Sequence, residues 1–272
     1  MRFAKMHGIG NDFVVVDAFR QRISDPASLA REICRRRFGV GADGLILMLP
    51  SARADAEMRI FNSDGSEPEM CGNGIRCAAK FLYDEGLCRK TRMDVDTRAG
   101  VKSIELIPEG RAARATVDMG APAFDPARIP VAAESNRVSA TLGGREVSFF
   151  CVSMGNPHAV SFDLYPDEAD FLKFGALMER HPLFPARANI EFCRVERDGA
   201  VSVKVWERGV GPTLACGTGS CAVLAAGATL GLIAREAEIR LPGGALFDRW
   251  DENGHIFMTG PAETVYRGEI EL

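Results

Sequence analysis

Three short motifs in this chain recur at one spacing. Gly10-Asn11-Asp12-Phe13 is echoed by Gly155-Asn156-Pro157-His158, Cys71-Gly72-Asn73-Gly74 by Cys216-Gly217-Thr218-Gly219, and Gly86-Leu87 by Gly231-Leu232, each pair 145 positions apart. Matches in step without a gap imply two similar halves. A chain of 272 residues gives each half the length of an ordinary domain with its own core. The join falls near Asp118–Pro130, where Gly120-Ala121-Pro122 and Asp125-Pro126 supply turn chemistry. We expect one half of residues 1–118, with 260–272 returning to it, and a second of 119–259. Met119-Gly120 and Thr259-Gly260 form a weaker echo whose shorter spacing needs an indel.

The predicted elements repeat as well. Val14–Val16 and Ala159-Val160 read as strands after the Gly-Asn turns. Asp25-Pro26 reads as the cap and first turn of a helix ending before Gly39, with a counterpart between Pro166 and Pro182. Strands follow at Leu45–Leu49 and Ile190–Phe192, then at Met58–Phe61 and the alternating Val201–Trp206. After each Cys-Gly-x-Gly comes a helix. Ile75, Ala78, Ala79 and Leu82 mark one apolar face, whereas Cys221–Ala228 is apolar all round and must be buried. Gly86 and Gly231 fit positions just past the helix ends. Strands resume through Ile104–Ile107 and Ile239–Trp250. The expected fold is α+β: two pseudo-symmetric halves, each a mixed, largely antiparallel sheet or barrel wrapped around a central helix, with the active site in the cleft between them.

Lys+Arg 33 against Asp+Glu 37 leaves a net charge of −4, which gives nucleic acid or an anionic membrane no basic surface to meet. No apolar run is long enough to cross a bilayer. The N-terminus lacks the apolar core and cleavage site of a secretory signal, so we expect a cytoplasmic protein. Eight cysteines in a chain of that kind do not suggest a disulfide framework. They form no Cys-x-x-Cys, and no His lies near either close pair, so no metal site is expected. Cys34, Cys77, Cys88, Cys151, Cys193 and Cys221 read as small buried hydrophobes. Gly39-Val40-Gly41-Ala42-Asp43-Gly44 precedes a strand rather than following one, which argues against a dinucleotide loop.

Cys71 and Cys216 are different. Each stands at the start of a helix, where unpaired N–H groups and the helix dipole favour an anion, either a thiolate or a bound carboxylate. Glycines there let a ligand approach the backbone. If the halves face each other, two such helix starts would grip one carboxylate with a thiol on either side of the neighbouring carbon. That suits removal of a proton from one face of a carbon and delivery of another to the opposite face. The helix-end donors would stabilise the carbanion-like charge between the two steps.

The chain resembles the diaminopimelate epimerase family across nearly its whole length. The likeness rests on Lys5–Phe13, Ile60–Glu67, Met70–Cys77, Val152–His158, Phe184–Asn189, Trp206–Gly209 and Ala215–Gly219. It implies cofactor-independent conversion of LL- to meso-diaminopimelate by a thiolate/thiol pair, in lysine and peptidoglycan-precursor synthesis, by a homodimer that needs no metal. Catalysis would fall to Cys71, Cys216, His158 and Glu207. Substrate would be held by Asn11, Asn62, Gly72, Asn73, Asn156, Asn189, Arg208, Gly217 and Thr218. An Arg suits the distal carboxylate, and neutral amides can serve both carboxylate and ammonium. In the repeat, Asn11 matches Asn156, Phe13 matches His158 and Asn62 matches Glu207, so the second half carries the extra charge. Two positions depart from the family: Gly44 where some members carry Gln, and Pro212 where Glu is frequent. The alternative is another racemase of the same architecture, of histidine or proline type. Asn73 and Ala215 argue against the proline type, which carries His after its first Cys-Gly and a Ser-Pro-Cys second motif preceded by Asp. A thiol redox or metal-binding protein would show Cys-x-x-Cys or clustered His, and a non-catalytic binding module would not need both thiols.

Overall fold

The computed structural model describes residues 1–271, which divide into two compact units, one of residues 1–118 with 259–271 and one of 119–258. The first contains β1 (Arg2–Gly8), β2 (Asn11–Asp17), α1 (Pro26–Ile33), β3 (Gly44–Leu49), β4 (Ala56–Asn62), α2 (Gly72–Asp84), β5 (Arg92–Thr97), β6 (Gly100–Glu109) and β7 (Ala112–Asp118). The second contains β8 (Arg137–Leu142), β9 (Arg145–Ser153), β10 (Pro157–Ser161), α3 (Glu168–Glu179), β11 (Asn189–Val195), β12 (Val201–Glu207), the short β13 (Gly211–Pro212), α4 (Gly217–Thr229), β14 (Glu236–Leu241) and β15 (Gly244–Trp250). The long β16 (Ile256–Glu269) starts in the second unit and continues into the first.

In the first unit the strand order is β1-β2-β3-β4-β5-β6-β7-β16, and β16 pairs back with β1, so eight strands close into a barrel. β2 with β3 and β4 with β5 are parallel, whereas β1–β16, β1–β2, β3–β4, β5–β6 and β6–β7 are antiparallel. The second unit runs β8-β9-β10-β11-β12-β14-β15-β16, with β10–β11 and β12–β14 parallel. Its residues 119–123 link β16 to β9, through Met119 and Gly120 on Ile256 and Ala123 on Ser153. This is the expected α+β architecture. The repeat reaches down to register: Phe13 pairs with Gly44 in one unit and His158 with Asn189 in the other.

Each sheet wraps one helix. In α2 every residue from Gly72 to Leu82 is buried, although its sequence is amphipathic, because strands surround it; α4 is buried from Gly217 to Gly227 apart from Thr218. Both helices end alike. Gly86 and Gly231 adopt φ of 68° and 73°, while Leu87 N–H bonds to Leu82 O and Leu232 N–H to Gly227 O. That is the glycine-capped helix end in which the residue after the glycine satisfies an otherwise orphaned carbonyl.

α1 ends at Ile33, before Gly39 as expected, and the chain then turns back so closely that a Cβ on Gly39 would lie 2.6 Å from the Ile33 carbonyl oxygen. The strands expected through Ile239–Trp250 form a hairpin, β14 and β15, with Pro242 and Gly243 as its turn. The second unit also depends on a close approach of α3. A Cβ on Gly175 would sit 2.6 Å from the Trp206 ring. Gly175→Ala is therefore expected to destabilise the protein by about 2 kcal/mol, read from the urea midpoint, because neither helix nor indole can yield without moving its neighbours.

Candidate active site

Cys71 and Cys216 are the N-caps of α2 and α4. Their backbones are extended, with φ/ψ of −139°/120° and −131°/108°. Each sulfur accepts the N–H three residues on: Gly74 N to Cys71 Sγ at 3.4 Å, and Gly219 N to Cys216 Sγ at 3.3 Å. The role usually played by a Ser or Asp oxygen is taken here by sulfur, which sets it in the positive end of the helix. The glycines are needed for space, since a Cβ on Gly74 would press on Ile46 and Ile60 and one on Gly219 would lie 2.9 Å from Glu191 Oε1.

In the first unit Asn11 faces Cys71. Its Oδ1 lies 3.7 Å from the sulfur and accepts from Asn73 Nδ2 at 3.2 Å, while its Nδ2 donates to Asp43 Oδ2 at 2.8 Å. The turn before it takes its left-handed backbone at Ile9 and Gly10, so Asn11 is not there to tolerate strain. Asp43 is anchored by Arg36 at 2.7 Å, and Arg36 also pairs with Asp12, which Lys5 reaches at 2.5 Å. Burial pushes the Asp12 carboxyl up, but Lys5 and Arg36 outweigh it and hold the group below its ordinary range. Behind Asn73 lies Arg76, wholly buried, which donates to Asn73 Oδ1 at 2.9 Å, Gly72 O at 2.9 Å and Pro261 O at 3.2 Å.

The second unit has the same plan with different chemistry. Asn156 Nδ2 donates to Thr218 Oγ1 at 3.1 Å, and Thr218 Oγ1 lies 3.6 Å from Cys216 Sγ. Asn156 Oδ1 is 3.0 Å from His158 Nε2, and His158 Nδ1 is 2.7 Å from Glu191 Oε1. Burial, then the carboxylates of Glu207 and Glu191, push the Cys216 thiol well above its ordinary value. Burial likewise raises Glu207, against a hydrogen bond from Thr213 Oγ1 at 2.6 Å, the charge of His158 and a hydrogen bond with Cys216. Burial raises the Cys77 thiol too, to about 12, in keeping with a core residue.

The remaining residues are placed as follows. Asn62 ends β4, is exposed and donates to Ser66 Oγ at 2.9 Å. Asn189 is buried, and its amide joins two backbone segments, accepting from Arg208 N at 2.8 Å and donating to Pro157 O at 3.0 Å. It holds the Arg208 backbone while the Arg208 guanidinium stays exposed. Gly44 pairs with Asn62 and lies so close to Phe61 O, 2.8 Å from an added Cβ, that no side chain fits this backbone. Pro212 sits exposed in β13 and leaves Glu207 to be held by Thr213. Sequence reasoning missed Arg76, Asp43, Glu191 and Glu179. The last accepts from Trp206 Nε1 and Gly209 N, each at 2.9 Å, and so braces the Glu207-Arg208 turn. For Arg76 the available signal was a charge near the start of a helix expected to be central, whereas Asp43, Glu191 and Glu179 act through contacts distant along the chain.

Solved structures of other proteins share this fold at low sequence identity. A hydroxyproline epimerase from Agrobacterium vitis superposes with a TM-score of 0.71 at 18% identity, covering 98% of this chain and 91% of that one. A phenazine biosynthesis protein of the PhzF family from Bacillus anthracis gives 0.68 at 18% identity, covering 100% and 99%. The diaminopimelate epimerase family model matches residues 3–124 and 150–265. Diaminopimelate epimerases from Desulforudis audaxviator and Methanococcus maripaludis are 52% and 47% identical, the first over 99% of both chains and the second over 100% of both. The chain belongs to the diaminopimelate epimerase family and is an isomerase.

Proposed function

We propose that this chain interconverts LL- and meso-diaminopimelate by inverting one α-carbon, with Cys71 and Cys216 as its two proton-transfer groups. The observation that carries the reading is a pair of thiols capping equivalent helices in a chain of this family. One sulfur, as thiolate, takes the α-proton. The other, as thiol, gives its proton to the opposite face, and the two sulfurs exchange states. Burial and two carboxylates keep the Cys216 proton in place, so Cys216 starts as the acid and Cys71 as the base. Backbone N–H groups of Gly72, Asn73, Gly217 and Thr218 bind the reacting carboxylate as its charge grows. Asn11 and Asn156 orient the reacting amino acid, and His158 and Glu207 meet its ammonium and support proton transfer. Asn62, Asn189 and Arg208 take the distal end, with the exposed guanidinium on its carboxylate.

The reaction uses neither pyridoxal phosphate nor metal. We place the enzyme in the cytoplasm, as a homodimer, in the synthesis of lysine and peptidoglycan precursor; family membership supports this setting. The test is turnover of LL-diaminopimelate in heavy water with no cofactor or metal added. Deuterium is expected at the α-carbon of the meso product before it enters recovered substrate. Equal early labelling of both would point to a single exchanging base, and turnover only after adding pyridoxal phosphate would end the proposal.

A further inference from the structure

The carboxylate of Glu191 is wholly buried, and its Oε2 has no hydrogen-bond partner among the described residues. Burying such a group costs several kcal/mol unless something holds it. Only Oε1 is engaged, by His158 Nδ1 at 2.7 Å. Because Asn156 Nδ2 donates to Thr218, its Oδ1 must accept, and His158 Nε2 must be the donor. The imidazole and carboxylate therefore share one proton between Nδ1 and Oε1. From there an unbroken polar chain runs through Asn156 and Thr218 to Cys216 Sγ. The carboxylate also abuts the helix start directly, since the space a Gly219 Cβ would fill lies 2.9 Å from Glu191 Oε1 and 3.2 Å from Cys216 Sγ.

In the first unit the corresponding chain ends differently. Asn11 leads through Asn73 to the guanidinium of Arg76, and Glu191 has an apolar counterpart, Ile46, 145 positions earlier. Equivalent asparagines are thus backed by opposite buried charges.

We propose that Glu191 is a positioning residue for Cys216: it fixes the His158 ring and, through Asn156 and Thr218, the groups that hold the Cys216 proton, so that this unit enters the reaction as proton donor. The inference rests on the reading of Cys216 as a proton-transfer group. The other titratable groups that interact with Glu191 are Cys151 on β9, Cys193 on β11 and Glu207 on β12; burial holds both thiols protonated, the first at about 12, so the charge that acts on Cys216 comes from Glu191 and Glu207.

The test reads Cys216 without requiring turnover. The full-length protein and its Glu191→Gln and His158→Gln variants are treated with iodoacetamide across a pH series, and modification of Cys71 and Cys216 is followed separately by peptide mass. Glu191→Gln removes the negative charge while keeping shape. Alkylation of Cys216 at a given pH is expected to rise about tenfold, with Cys71 little changed. His158→Gln removes the group that holds Glu191 ionised against its burial, so the carboxyl takes up a proton and Cys216 alkylation should rise as in Glu191→Gln. The alkaline limb of the epimerisation pH profile should move to lower pH in Glu191→Gln. Cys216 reactivity unmoved in a folded Glu191→Gln protein overturns the proposal. Should that variant fail to fold, Cys216 reactivity unmoved in His158→Gln overturns it instead. Loss of fold in both would assign the pair to stability alone. A fully active Cys216→Ala protein would defeat the underlying reading, whatever the alkylation rates show.

Discussion

Replacing Cys71 or Cys216 by Ala lowers epimerisation by about 10³-fold or more in both directions, whereas Cys77→Ala leaves turnover near that of the unaltered protein. General acid or base catalysis by a positioned group contributes 10²–10⁴-fold, and inversion needs both groups in every cycle. The helix starts would still bind the carboxylate in the Ala variants, so KM should change far less than kcat. Loss of the cap also weakens each helix, by about 1 kcal/mol, too little to unfold a protein of this size. Cys77 is the control: it is fully buried one turn and a half further along α2, and its truncation costs about 1 kcal/mol through a small cavity. Stereochemical assay of the three purified variants, with circular dichroism to show that they fold, decides the matter. Full activity in Cys71→Ala would exclude a two-thiol reaction.

The repeat was legible because it leaves its mark in local sequence. Turn glycines, helix caps and strand alternation depend on neighbours within a few positions, and these recur in both halves down to the pairing of Phe13 with Gly44 and His158 with Asn189. The thiols were legible for the same reason, as residues immediately before glycine-rich helix starts. What escaped depends on contacts distant along the chain. Glu191 reads as an ordinary residue in the strand Ile190-Glu191-Phe192, and only the pairing of β10 with β11 brings it to His158. Asp43 matters because the turn after β1 comes within hydrogen-bond reach 32 positions away in sequence. The Asn189 amide fastens the Arg208 backbone, a role no spacing could disclose. The return of 260–272 to the first half was expected, but its pairing as β16 against β1 has no local signature either.

Replacing Arg76 is expected to cost the first unit much of its stability. It is a full charge at zero exposure inside the barrel, spread over Asn73 Oδ1, Gly72 O and Pro261 O. The fork of the guanidinium matters, because a lysine has one nitrogen and cannot reach acceptors on both α2 and β16 in this geometry. Arg76→Met keeps much of the length and removes every donor. Asn73 Oδ1 and Pro261 O then lose charge-assisted bonds, each worth about 1.5–3 kcal/mol. We expect a loss of about 3–5 kcal/mol, read as a lower urea midpoint with unchanged slope, and Arg76→Lys should recover only part of it. The effect should extend to chemistry, since Asn73 fixes the Asn11 amide beside Cys71. With Asn73 released, Asn11 keeps Asp43 but loses the partner that aims its oxygen at the sulfur. Turnover by the folded fraction should drop by about tenfold, a size consistent with misplacement rather than removal of a catalytic group. A folded Arg76→Met protein with undiminished stability would show that the barrel interior can spare this charge.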